Sequence, residues 1–169
     1  MSFGEKIMNE GFIKYENADK QLRYDHAYLR MAREWAKLSH CKRKQVGALL
    51  VKEGMIISDG YNGTPSGFCN DCEDENGATH WYVLHAEANA IMKVARSNNS
   101  ARNSTLYITL SPCQDCAKLI LQAGIKRVVY MVEYKDCTGI DFLAEAGLET
   151  VHIPEDVLLA SKEQPESII

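Results

Sequence analysis

The chain has 169 residues, 46% of them hydrophobic and 25% charged, with a formal net charge of −4. This length suits a single domain that can bury its core without disulfide staples. No apolar run approaches the roughly 18 residues of a membrane span, and the mild acidity lacks the basic footprint that tracks nucleic acid, so a small-molecule substrate is favoured over a membrane or a polynucleotide.

Met1 to Glu10 shows no basic start followed by an apolar segment, so neither a secretory signal nor a transit peptide is expected and the cytoplasm is the default compartment. An N-terminal extension covers 1–21, where Phe3, Ile7, Met8, Phe12 and Ile13 among polar residues suit an extra amphipathic helix. From Leu22 to Ser39 apolar residues recur at helical spacing and predict the first core helix. Gln45–Val51 and Met55–Tyr61 are rich in strand formers, and the break at Lys52-Glu53-Gly54 is short enough for a hairpin. Asn62 to Gly67 is dense in turn formers and opens a long loop to about His80. Loops of that length in compact domains tend to be functional or metal-held. A helix is expected over His85–Arg96, a strand over Thr105–Leu110, a helix over Pro112–Ala123 with Pro in its first turn, and a strand over Arg127–Val132. A short helix at Ile140–Ala146 and a strand at Glu149–Ile153 complete the series, and 154–169 is a tail of weak periodicity. Strands alternating with helices after an initial antiparallel hairpin predict an α/β domain over 22–153. Its expected form is a three-layer α/β/α stack on a mixed five-stranded sheet.

The chemistry concentrates in His85-Ala86-Glu87 and Pro112-Cys113-Gln114-Asp115-Cys116. His85 and Cys113 open separate predicted helices, and Cys113 and Cys116, three apart, share one face of the second. The positive ends of those helices favour thiolates. One imidazole and two thiolates hold Zn2+ through three protein ligands and leave a fourth position for water, whose pKa falls toward about 7. Glu87 can reach that water without ligating the metal. It takes the water proton, passes it to a ring nitrogen and delivers another to a departing amine, which is hydrolytic deamination. A closed structural zinc site or a redox C-x-x-C pair would leave Glu87 unexplained.

Two other clusters stand out. Cys69 and Cys72 form a second C-x-x-C, followed by His80 in the same loop, and with Cys41 they make a Cys₃His set for a second, structural zinc. His40 and Asp71 are substitutes for one of these ligands, and reduced, partly buried thiols are the alternative. With six cysteines in a presumed reducing compartment, thiol or metal chemistry is expected before disulfides. Cys137 has no obvious partner. Within Lys42-Arg43-Lys44, Arg43 and Lys44 are phosphate candidates, a solvated surface being the other reading.

H-x-E with P-C-x-x-C is the known signature of zinc-dependent nucleobase deaminases, and is recognised here as such. Gln45–Ala48, Gly60–Gly67, His85–Ile91, Ser111–Lys118 and Gln122–Lys126 together resemble the deoxycytidylate (dCMP) deaminases over about Asp25 to Ile153. The resemblance implies a cytidine-deaminase-like fold and conversion of dCMP and water to dUMP and ammonia, supplying thymidylate synthesis. It also implies a homo-oligomer, commonly a hexamer, activated by dCTP and inhibited by dTTP, usually with Mg2+. It makes Asn62 a sugar contact, lines the base with backbone near Ala86 and Ser111, and gives Tyr134 to the substrate. From the residues alone, a turn-forming Asn62 and a strand-end Tyr134 stand as equal readings. Gly60, Tyr61, Gly63 and Arg96 are the candidates for an allosteric nucleotide, and Cys41 matches the second zinc that some members carry. The alternatives are a cytidine or guanine deaminase, a tRNA adenosine deaminase, which would want a basic face, and a non-catalytic nucleotide-binding or DNA-uptake module, which would not need Glu87.

Overall fold

The computed structural model describes residues 3–160, with side chains from residue 18 onward. Ten elements follow one another: α1 (Phe3–Ala36), β1 (Gly47–Lys52), β2 (Met55–Tyr61), α2 (Ala86–Ala95), β3 (Thr105–Leu110), α3 (Gln114–Gln122), β4 (Arg127–Val132), α4 (Thr138–Glu145), β5 (Glu149–His152) and α5 (Glu155–Ala160). The strands form one mixed sheet in the order β2-β1-β3-β4-β5. β1 runs antiparallel to both β2 and β3, whereas β3, β4 and β5 are parallel. The expected three-layer stack on a mixed sheet that starts with a hairpin is therefore the fold.

Period-two alternation buries both faces of the central strands. Ala48, Leu50, Leu106, Ile108, Val128 and Tyr130 face α2, α3 and α4, which contribute Ala86, Ala90, Ala117, Ile120 and Leu143. Their neighbours Leu49, Val51, Tyr107, Val129 and Met131 face the other way, onto Leu29 and Ala32 of α1 and Leu158 of α5. Each fully buried Leu or Ile contributes about 1.5–3 kcal/mol relative to an exposed one. On the α1 side, Asp25 is 2% exposed. It receives two 2.8 Å hydrogen bonds from the Arg127 guanidinium and one of 2.7 Å from the Tyr107 hydroxyl. This buried pair ties α1 to β3 and β4.

Two expectations change. The extension and the first core helix are one continuous helix, which contains Gly4 and Gly11 and no Gly or Pro across the junction from 12 to 36. It stops at Ala36 and not Ser39, since Ser39 turns back and its Oγ donates to the Asn62 carbonyl at 2.8 Å. The amphipathic pattern of Phe3, Ile7, Met8, Phe12 and Ile13 lies outside the described side chains. The tail gains a six-residue helix, α5, anchored by the fully buried Leu158; residues 161–169 lie outside the described residues. Among the described residues, no helix is long and apolar enough to cross a membrane.

Candidate active site

The site forms where α2 and α3 begin. His85 and Cys113 are not inside the helices but at their N-caps, in extended backbone (ψ 155° and 169°). Each side chain therefore points off the helix end, among N–H groups that carry partial positive charge. Gly60 of β2 lets α2 approach this closely: a Cβ there would lie 2.2 Å from the Ala86 carbonyl oxygen.

His85 Nδ1 lies 3.5 Å from Cys113 Sγ and 3.4 Å from Cys116 Sγ, and the three donor atoms all fall within 4.8 Å of one another. A tetrahedral zinc with usual Zn–S and Zn–N bonds has S···N edges of about 3.5 Å. The donor set therefore fits zinc in both chemistry and spacing. Hydrogen bonds from Cys116 and His85 push the Cys113 thiol down to about 3, so it carries the first negative charge of the pair. Cys116 is shifted up by that neighbouring Cys113 sulfur and by burial, and His85 is raised by its contact with Cys113. Two sulfurs this close release both protons only to a cation. Glu87, in the first turn of α2, is 3% exposed, and burial holds its carboxyl above the usual carboxylate range.

A pocket of about 340 Å³ opens over these groups. His85, Ala86, Glu87, Ser111, Cys113, Asn62, Tyr134, Arg43 and Lys44 all line it, so the expected zinc, substrate and phosphate residues are brought together. Cys116 lies just beneath, 4% exposed. Asn62 is doubly engaged: its Oδ1 accepts the Val46 N–H and its Nδ2 donates to the Lys44 carbonyl, both at 2.8 Å. One amide hydrogen and one lone pair remain for a ligand. The Tyr134 N–H donates to Ser111 Oγ at 2.8 Å, and the Lys44 ammonium sits 4.6 Å above the Tyr134 ring.

Five further lining residues escaped the sequence reading: Val46, Glu73, Thr79, Val83 and Leu110. The pairing of Ala48 with Ile108 extends to place Val46 opposite Leu110. A correct register would have found those two, whereas nothing in the loop sequence marks the others.

The four allosteric candidates do not converge on this pocket. Gly60 serves close packing, Tyr61 offers its carbonyl to Asn89 Nδ2 at 3.0 Å, Gly63 pairs with Leu84, and Arg96 caps the far end of α2. The expected Cys₃His set is corrected by the structure. Cys41 and Cys72 are joined in a disulfide, so their sulfurs are not thiolates free to bind metal. Cys69 is turned out to solvent, 3.2 Å from Asp71 Oδ2, and the His80 ring stacks on Tyr82 with centroids 5.0 Å apart. The expectation that thiol or metal chemistry would precede disulfides is overturned at this pair. Among the described residues, His85, Cys113 and Cys116 are the group of three with donor atoms spaced for a metal.

Residues 22–132 match the family model for the cytidine and deoxycytidylate deaminase zinc-binding region. The deoxycytidylate deaminase of Enterobacteria phage T4 is 36% identical over 160 residues, covering 69% of this chain and 83% of its own. That of Homo sapiens is 35% identical over 127 residues, 70% of each chain. The dCMP deaminase of cyanophage S-TIM5, solved with dCMP and dUMP, is 48% identical with a TM-score of 0.76, covering 78% of this chain and 97% of that one. With the His85, Cys113 and Cys116 donors, buried Glu87 and this sheet order in common cause with those matches, the chain belongs to the cytidine and deoxycytidylate deaminase family.

Proposed function

We infer that the chain is a zinc-dependent dCMP deaminase, hydrolysing dCMP to dUMP and ammonia. The observation that carries this reading is one pocket holding both a zinc donor set with a buried carboxyl and two cations, Arg43 and Lys44, that have no salt-bridge partner among the described residues. His85, Cys113 and Cys116 would hold zinc, which when bound would supply an acidified water as the nucleophile. Glu87 accepts a proton from that water and gives it to the ring nitrogen next to the amino-bearing carbon, which makes the carbon electrophilic. The water oxygen bonds to that carbon, Glu87 takes the second proton from the new hydroxyl and delivers it to the amine, and the C–N bond breaks, so the oxygen remains on the base as a keto group and ammonia leaves. Burial suits Glu87 to this work, because a raised pKa lets it hold the proton between the two transfers.

Substrate contacts follow from the pocket. Backbone near Ala86 and Ser111 borders the base, the remaining amide hydrogen of Asn62 is offered to the sugar, Tyr134 packs on the nucleotide, and Arg43 and Lys44 receive the 5′-phosphate. Turnover of dCMP, deoxycytidine, cytidine and guanine by the zinc-loaded chain tests the assignment. A strong preference for dCMP is expected, and equal kcat/KM for dCMP and deoxycytidine would refute it.

The family resemblance supports a homo-oligomer, commonly a hexamer, in the cytoplasm, with dCTP activating and dTTP inhibiting in the presence of Mg2+. Initial rates with each effector, with and without Mg2+, and the solution mass of the chain test these parts. A rate indifferent to both nucleotides removes the regulation and leaves the catalytic reading in place.

A further inference from the structure

In the loop between β2 and α2, the stretch from Cys69 to His80 contributes no ligand to the zinc set, yet its tip reaches the basic turn Lys42 to Lys44. Glu73 and Thr79 pair as an isolated antiparallel bridge. The turn between them is closed by Asp74, whose Oδ1 accepts the N–H groups of Asn76 and Ala78, each at 2.9 Å. Glu73 and Thr79 thus stand on one rung, and both reach the same neighbour. The Glu73 carboxylate accepts the Lys42 N–H at 3.1 Å to each oxygen and the Arg43 N–H at 3.1 Å. Thr79 Oγ1 accepts from Arg43 Nη1 at 3.4 Å. One residue before Glu73, the Cys72 disulfide to Cys41 joins the same two segments.

This arrangement has an electrostatic consequence. A carboxylate beside two cations would normally pair with their side chains and cancel them. Glu73 is instead occupied by backbone N–H groups: the Lys42 N–H foremost, then that of Arg43 and both positive charges, hold its carboxyl below the usual range against a smaller opposing effect of burial. Arg43 and Lys44 line the pocket and form no salt bridge among the described residues.

We propose that Glu73 is a positioning residue for phosphate recognition: it fixes the backbone of Lys42 and Arg43, Thr79 aligns the Arg43 guanidinium, and the two cations Arg43 and Lys44 are thereby presented to the 5′-phosphate. This rests on the reading of the pocket as a dCMP site with Arg43 and Lys44 on the phosphate. Its readout is the ratio of kcat/KM for dCMP to kcat/KM for deoxycytidine, which lacks the phosphate, measured on the full zinc-loaded chain.

In Glu73→Ala the ratio falls about tenfold, as expected for a displaced charge-assisted contact. Glu73→Gln keeps acceptor oxygen and falls less, and Thr79→Val falls by about two- to threefold. A purely structural role lowers both substrates together and leaves the ratio unchanged, which overturns the proposal. Should Glu73→Ala fail to fold, unchanged ratios in Glu73→Gln and Thr79→Val overturn it equally. Arg43→Ala and Lys44→Ala separate the two levels. If they lower the ratio while the Glu73 variants do not, the positioning role alone is lost; if they leave it unchanged, the phosphate assignment itself falls.

Discussion

The chain contains the same cysteine spacing twice, and only one copy builds a metal site. Cys113 and Cys116 stand at the cap and in the first turn of α3, where helical geometry turns residues three apart onto one side. Both sulfurs then lie within 3.5 Å of His85 Nδ1, delivered by the start of a second helix. Cys69 and Cys72 sit in a loop with no regular backbone to align them. Cys72 is 1% exposed and bonded to Cys41, whereas Cys69 points to solvent. In this chain the spacing becomes a donor set where a helix start aligns the two sulfurs and a second helix start brings the imidazole.

Several measurements would sharpen or break this contrast. Cys116→Ser is expected to strip the zinc and nearly all turnover; metal analysis returning one zinc per chain with full activity would remove the distinction. Glu87→Gln should lower kcat by about 10²- to 10⁴-fold with zinc content unchanged, which separates the proton carrier from the ligands.

Next in size is the support beneath α3. Asp25 binds Tyr107 of β3, the strand that leads into Cys113, and breaking its buried pair through Asp25→Asn should cost about 3–5 kcal/mol in denaturant unfolding. The Asp25 carboxyl is opposed by burial, which raises it, but hydrogen bonds from Arg127, Tyr107 and Gln21 outweigh this and lower it. Its contribution is therefore fully present above the unfolded carboxylate value of about 3.9 and is lost as pH falls through the lower folded value. Acid unfolding of Asp25→Asn should lack that component.

Gly139→Ala would place a Cβ 2.3 Å from the Pro112 carbonyl oxygen and 2.8 Å from the Cys113 carbonyl carbon. A cost of about 1–3 kcal/mol and weaker zinc retention are expected, read by thermal unfolding and chelator competition. At Gly77 in the loop a Cβ meets open space, and the constraint there is instead the left-handed φ of 76°. The smallest effect belongs to Cys69→Ser, within about 0.5 kcal/mol of the parent and with unchanged zinc content. Loss of a zinc ion from that variant would restore a second metal site and end the contrast.

Much of this was legible in the residues. The strands Met55–Tyr61, Thr105–Leu110 and Arg127–Val132 have the limits expected from their β-branched and aromatic runs. Helix ends shifted, because His85 and Cys113 act as caps and Ser39 bonds to Asn62, and neither effect shows in periodicity. Glu73, Thr79 and Val83 escaped notice since a loop carries no repeat from which side-chain direction can be read.

The sequence by itself singled out His85, Cys113 and Cys116 as candidate zinc donors, Glu87 as the proposed proton carrier, and the layered α/β class, because each depends on local spacing, helix geometry and alternation. Only the tertiary structure decided that Cys72 pairs with Cys41, that Asn62 clamps the turn between Ser39 and Val46, and that Arg43 and Lys44 face the same pocket as Glu87. Those outcomes depend on residues 16 to 44 positions apart being brought together, and such proximity follows from how the sheet and its loops pack, not from any pattern along the chain.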